Sequence, residues 1–387
     1  MIHTITNALK KDRQALFVVL CDFEGFKKGF STISKSVGDY VFEGRILNSV
    51  VVKSSLSLDS MTFSDPSLSI QVANTDRLQD LQKTRYLDAG TGEVFLYCDS
   101  LVWADVADFP IFTGAFRTKN HNKFQYAFDL VDRSNTAGQT IDSLPAITGN
   151  PGENIEALLT GQTTLTIDDI DFGSLGTMKS LLGGWALSTE VDTRANAFDV
   201  IDRILLQCVG GRVTRFGKVA VVVFDLYAPT MWYLTQQDFL GQTIQISSTP
   251  QKAVANDIYV EYEQNNGSWD HNLTVDHTNN RLCKLSRNDY GPRPQVRLAL
   301  ADIPDEGTAR AAVQKYLDWK AFRHDLIQCK VPHHVGFQML EGDVAEITLE
   351  EGPSLDGAGW IEERFILLDR SIDASGISQR WWRIGTD

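Results

Sequence analysis

The chain has 387 residues, 43% of them hydrophobic and 22% charged, which is enough apolar material for packed cores and excludes a disordered composition. It is longer than one typical domain of ~100–200 residues, so two to four domains are expected. Lysine and arginine number 36 against 50 aspartates and glutamates, a net charge of −14. Such a chain lacks the overall positive balance that holds a duplex, though it can stand beside DNA without sticking to it.

Met1 to Lys11 is polar with a short basic pair, and the apolar run Ala15 to Cys21 that follows is read as a first strand rather than a signal peptide, because Asp22 and Glu24 come next. No stretch of about 18 apolar residues occurs, so no membrane span is expected. Period-two alternation then recurs. Leu68, Ile70 and Val72 alternate with polar neighbours, as do Phe124, Tyr126, Phe128 and Leu130. The stretches Val41–Val52, Gly92–Cys98 and Ile111–Phe116 are rich in strand formers, Asp65-Pro66 reads as a turn, and Arg77 to Arg85 reads as a short helix. Breakers at 134–138 and 148–152 mark a boundary, a short helix is expected at Asn154–Thr160, and 161–190 reads as irregular.

The clearest mixed unit follows. Ala197, Ile201, Ile204, Leu205 and Cys208 recur at helical spacing, with Asp192 or Thr193 as cap and Gly210-Gly211 as a left-handed stop. Arg212–Arg215, a tight turn at Phe216-Gly217-Lys218 and Val219–Phe224 then form a hairpin. Strand character returns over 240–300 around Ile244, Ile246, Ile258, Val260 and Tyr262, with a turn at Asn265–Ser268. A helix is expected from Asp305 to Ile327 between Pro304 and Pro332, and strands close the chain around Ala345–Leu349, Phe365–Leu368 and Arg380–Ile384.

The fold class expected is α+β, mainly β: two tube-like antiparallel β-barrel domains with an inserted helix/β-hairpin unit. The divisions are 1–135 for the first β-domain, 136–232 for the linker and helix/hairpin unit, 233–303 with 331–387 for the second β-domain, and 304–330 for a helix packed on it.

No phosphate-cradling glycine loop, nucleophile elbow or zinc-protease motif is present. His333-His334 is the best metal candidate. Neighbouring histidines on a strand face opposite ways and no carboxylate lies near at ligand spacing, so no metal is assigned. Acid pairs at Asp168-Asp169, Glu350-Glu351 and Glu362-Glu363 invite a glycosidase reading, but hydrolysis needs two carboxylates across a cleft. Trp103, Trp185, Trp232-Tyr233, Trp360 and Trp381-Trp382 could form a sugar platform. They read better as core and interface residues. The scattered Cys21, Cys98, Cys208, Cys283 and Cys329 read as buried free thiols in a reducing compartment. No catalytic residue, cofactor or metal is expected, and the chain reads as a non-enzymatic structural protein that works through its surfaces.

The segment TRANAFDVIDRILLQCVGGRVTRFGKVAVVVFD at 193–225 resembles the helix and hairpin of bacteriophage tail hub proteins. LEGDVAEITLEEG at 340–352, ERFILLDRSID at 363–373 and QRWWRI at 379–384 look like their closing strands. The early VFEGRILNSVVVKSSLSLDSMTFSDPSLSIQVANTDR and FPIFTGAF at 109–116 resemble their first barrel, so the likeness spans most of the chain. It implies a homotrimeric ring in which two β-domains per copy present six similar surfaces, joining a sixfold tail tube to a threefold tip or spike around a bore for DNA. The implied partners are further copies of itself, a tail tube or distal tail protein, a tip or spike protein and a tape measure protein, with no stable nucleic-acid binding. The implied place is the virion tail tip after synthesis in the bacterial host cytoplasm. Readings kept beside it are a distal tail ring, a receptor-binding tail protein and a carbohydrate-active tail enzyme.

Overall fold

A computed structural model describes residues 2–12, 14–23, 25–57, 62–64, 67–75, 90–132, 137–191, 194–265, 267–353 and 359–384. Among the described residues three larger sheets stand beside four two-stranded ones, with helices packed against them. The first is an eight-stranded sheet in the order Lys35–Val37, Tyr40–Gly44, Phe26–Ser31, Leu16–Phe23, Thr91–Tyr97, Phe112–His121, Gln125–Asp132, Ser67–Ala73. The alternation read in the sequence sets its faces, with Leu68, Ile70, Val72, Tyr126, Phe128 and Leu130 inside. Phe124 is the exception: it sits at the hairpin tip, 74% exposed.

The second body runs Thr230–Thr235, Val344–Leu349, Trp360–Asp373, Gly376–Arg383, Asp325–Val331, Gln245–Ser248, and the short strand Val52–Lys53 also pairs with Trp360–Asp373. The third is a three-stranded sheet of Ser268–Val275, Ile258–Asn265 and Val296–Leu300. A mainly-β α+β fold is therefore as expected, but the sheets are not closed barrels. Nor are they wholly antiparallel: Phe26–Ser31 with Tyr40–Gly44, Thr230–Thr235 with Val344–Leu349, and Ile258–Asn265 with Val296–Leu300 run parallel.

The segment that follows Tyr40–Gly44 reaches the Ser67–Ala73 edge of the first sheet without closing it into a barrel. Ile46 bridges Val72, the Ala73 N–H donates to Arg45 O at 2.8 Å, and the Leu47 N–H donates to Gln71 O at 2.8 Å. The two large sheets share one apolar core, in which Phe30, Phe42 and Phe128 of the first join Phe365, Trp360 and Trp381 of the second. A second core gathers Ile155, Leu158, Ile201, Leu205, Ile258, Val260 and Val313. The strands at 258–300 thus pack with the mid-chain helices and not with the closing strands.

Several local readings are corrected. Helix Ile2–Asp12 stands where a polar terminus was expected; its Ile5, Ala8 and Leu9 share one buried face. The stretch read as irregular contains helix Phe172–Leu181, whose glycines and serines disguise it and whose start is capped by Asp171 accepting the Gly173 and Ser174 N–H groups. The helix expected over Asp305–Ile327 is Glu306–Lys320, and Asp325–Val331 is a strand, because Leu326, Ile327, Cys329 and Val331 slot between two neighbouring strands. Asp65-Pro66, the helix expected at Arg77–Arg85 and the caps Asp192 and Thr193 lie outside the described residues. The cap observed for helix Ala197–Gln207 is Asn196, whose side-chain oxygen accepts the Phe198 N–H at 2.9 Å.

Gly210-Gly211 does not end that helix. Val209 takes the left-handed turn at φ 54°, and Gly210 is needed because a Cβ there would lie 2.4 Å from Val222 O across the hairpin. The hairpin of Gly210–Arg215 and Lys218–Val223 turns through Phe216 and Gly217, both at positive φ. Its tip is pressed into the junction of the β-bodies: Phe216 stacks near Phe109 and Phe337, and a Cβ on Gly217 would lie 2.6 Å from Thr113 Oγ1 and 2.7 Å from Pro110 Cγ. Gly217→Ala is therefore expected to destabilise the fold by at least about 1–2 kcal/mol from backbone strain alone. Urea unfolding of the variant beside wild type measures this.

Candidate functional site

The candidate groups for chemistry are kept apart by the fold. Asp168 and Asp169 lie on a 3-10 turn, where Asp169 accepts the Thr166 N–H at 2.9 Å. Glu350 and Glu351 are exposed on a turn. Glu362 and Glu363 open strand Trp360–Asp373, and Glu363 pairs with Arg383 at 3.0 Å. Glu363 lines one pocket with Asp325 and Asp318, but there Glu363 and Asp325 are both tied to the Arg383 guanidinium, at 3.0 and 3.3 Å. Among the described residues, no three His, Cys, Asp or Glu side chains gather to hold a metal ion.

His333 and His334 are not on a strand, as the sequence suggested, but open the one-turn helix His333–Gly336 after Pro332. His333 Nε2 lies 2.7 Å from the Asp373 carbonyl oxygen, which can only accept, so Nε2 carries a proton and the neutral ring satisfies the contact. Burial lowers its pKa from the ordinary 6.5. The folded state then binds fewer protons than the unfolded one below that value. Its stabilising share is present above 6.5 and is lost as pH falls from there through the lower folded value. Melting temperatures measured from about pH 7.5 down to about pH 5 should fall in wild type and fall less in His333→Gln.

The tryptophans pack inward. Trp381 and Trp382, neighbours on one strand, point to opposite faces: Trp381 joins the core between the large sheets, and Trp382 joins Trp319 and Phe224 beneath the hairpin. Trp360 is buried beside Phe365, Trp103 packs with Tyr40, Phe42 and Phe95, and Trp185 is half-buried against the mid-chain helices. Trp232 Nε1 donates to Asp343 at 2.9 Å. The reading of Trp381-Trp382 as one core ring and one interface ring is thus corrected within the single chain, where both are buried and Trp382 packs against Trp319 and His324. All five cysteines are buried and free. Burial pushes the thiols up, Cys283 to about 11 and Cys98 and Cys329 to about 12.

What the chain leaves exposed is a strand edge. Both ends of the second sheet, Thr230–Thr235 and Gln245–Ser248, have no further described strand beside them. Neither carries a lysine, a charged residue or a proline, the usual devices that blunt an edge. On the first of them Met231 is 59% and Tyr233 71% exposed, with Tyr227 77% exposed just before it. Tyrosine and methionine are residue types enriched at protein interfaces. Tyr233 stands opposite Glu346, which stands opposite Arg364, so an aromatic, an acid and a base follow one another across three strands. Tyr233 was singled out in the sequence beside Trp232; nothing there told which of the two faces solvent.

No protein-family model and no curated protein matches the chain by sequence at a significant level. Solved structures do match its fold. The chain is similar to the tail protein from Neisseria meningitidis MC58, with TM-score 0.53 and 10% identity over 95% of this chain and 96% of that one. It is equally similar to the prophage tail protein gp18 from Listeria monocytogenes EGD-e, with TM-score 0.53 and 10% identity over 94% of each chain. At such identity the likeness is one of fold, and it bears out the tail-protein resemblance read in the sequence at that level.

Proposed function

We propose that this chain, which shares the fold of phage tail proteins, is a structural subunit of a phage tail tip or baseplate and works as its hub. Three copies form a ring in which the two large β-bodies of each take near-equivalent places around the axis. The ring adapts a sixfold tail tube or distal tail protein to a threefold tip or spike. The bore is left open for DNA and for the tape measure protein, and net negative charge lets DNA slide past without being held. The protein does no catalysis, and it resides at the virion tail tip after synthesis in the host cytoplasm. In this reading residues 1–135 build one tube-like unit. Strands from 230–248 and 325–383, joined by Val52–Lys53, build the other, and the segment 136–229 with the 258–320 region braces them from outside.

One observation carries the proposal: the second sheet ends on two unblunted edges, one of which, Thr230–Thr235, presents the exposed Tyr233. Exposed edges of this kind need a partner, and a closed ring of copies supplies one without leaving a free end. Negative-stain images and native mass measurement of the purified full-length chain test it, with threefold rings of three chains as the expected result. Sixfold rings would favour a distal tail ring. A chain that stays monomeric at high concentration and binds a host surface sugar or protein would favour a receptor binder, and release of sugars would favour a tail enzyme.

A further inference from the structure

The second sheet's outer face holds a basin of about 480 Å³ that none of the foregoing uses. Its floor is a row of residues paired directly across four strands: Lys53 opposite Ser371, Ser371 opposite Ser378, Ser378 opposite Lys330. Directly paired residues share a face, at about 4.8 Å per strand, so the row places two ammonium groups at its ends and two hydroxyls between them. Arg380, two residues along from Ser378, lies on the same face.

The nearby carboxylates are already engaged. Asp369 is held by Arg380 and accepts the Leu56 N–H at 2.9 Å. Asp373 accepts Lys330 Nζ at 2.7 and 2.8 Å and Ser375 Oγ at 2.7 Å. Lys53, by contrast, is exposed, and neither its ammonium nor the Ser371 and Ser378 hydroxyls bond to any described group. The Lys53 ammonium is therefore the one cation lining this basin that no described carboxylate pairs, in a chain of net charge −14.

We propose that this basin is a binding site for a phosphate-class oxyanion, held by Lys53, Ser371 and Ser378 with Lys330 at its flank. A tetrahedral oxyanion offers several acceptors at once, which suits an ammonium and two hydroxyls converging from neighbouring strands. The inference stands independently of the tail reading, since it uses only the pairing of these strands and the chemistry of their side chains.

The test titrates inorganic phosphate, at constant ionic strength, into the full-length chain while following its melting temperature and the linewidth of the phosphorus resonance. A saturable rise in melting temperature is expected, and Lys53→Gln and Ser378→Val should each weaken the apparent affinity by about tenfold. Both positions are at least partly exposed, so both variants should melt like wild type in phosphate-free buffer. A parallel titration with a short DNA duplex separates the sources. Binding with the same Lys53 dependence identifies a backbone phosphodiester as the ligand, and phosphate binding alone identifies the free ion. A phosphate response that never saturates, or one unchanged in Lys53→Gln, overturns the proposal.

Discussion

Replacing Glu341 with alanine is expected to destabilise the folded chain by about 3–5 kcal/mol, the usual cost of removing one partner from a buried ion pair. Glu341 is 2% exposed and faces the Arg370 guanidinium, itself 8% exposed, at 3.5 Å. The same carboxylate accepts Ser54 Oγ at 3.0 Å, and the Glu341 backbone carbonyl accepts Arg215. Three distant stretches of chain meet there: the short strand region after Val52, the hairpin Gly210–Val223 and the strand Trp360–Asp373. Without the carboxylate, Arg370 keeps its bonds to the Met339 and Phe337 carbonyls but becomes a buried charge with no counter-charge. Arg370→Met alone should be comparably harmful. The pair Glu341→Leu with Arg370→Met should cost distinctly less than the sum of the single variants, because no charge is then left stranded. Denaturant unfolding of the four proteins gives the coupling directly, and strict additivity would dismiss the role assigned to this junction.

Trp381→Ala is expected to cost about 3–5 kcal/mol by leaving a cavity in the core that both large sheets share. The ring is fully buried, its strand lies between those of Ile327 and Leu367, and its Nε1 donates to Gln379 Oε1 at 3.2 Å. Tyr233→Ala makes the contrasting case. Its side chain is 71% exposed, so the isolated subunit should change by no more than about 0.5 kcal/mol. If the edge on which Tyr233 stands joins copies, the same change should shift the assembly toward single chains. Thermal melts and native mass measurement on both variants separate the two effects: Trp381 governs whether the chain folds, Tyr233 whether folded chains meet.

How much of this was readable in the sequence depends on the range over which each element is decided. Helix Ala197–Gln207 and the strands around Leu68–Val72, Ile258–Tyr262 and Ala345–Leu349 carry their own periodicity, and they fold where the pattern places them. Helix Phe172–Leu181 was missed because glycine and serine lower its intrinsic propensity; the cap at Asp171 and packing of Leu175 and Met178 supply what the sequence does not advertise. Strand Asp325–Val331 carries period-two alternation in Ile327, Cys329 and Val331 against Gln328 and Lys330, but the helical spacing of Ala309 to Ala321 was extended over its first residues to Ile327. The parallel pairing of Thr230–Thr235 with Val344–Leu349 and the meeting of Glu341 with Ser54 are non-local, and no window of sequence carries them. At the surface, the dipeptide Trp232-Tyr233 was visible as an aromatic pair, but which ring is buried follows from the pleat of a strand whose partner lies over a hundred residues away.

The short strand Val52–Lys53 ties an early segment to a late one: Ser54 bonds to the Arg370 carbonyl across 316 positions of sequence. Closing a contact of that span is slow, since a long loop must be ordered before any pairing rewards it. On the ribosome, the first sheet can collapse early, yet the strand that receives this hook has not been made. Until Gly376–Arg383 emerges, the apolar core that the two large sheets share lacks Ile377 and Trp381. A nascent or truncated chain should therefore be prone to aggregate. The second sheet, in which Gly376–Arg383 lies between Trp360–Asp373 and Asp325–Val331, can therefore be completed only after almost all of its other strands already stand waiting.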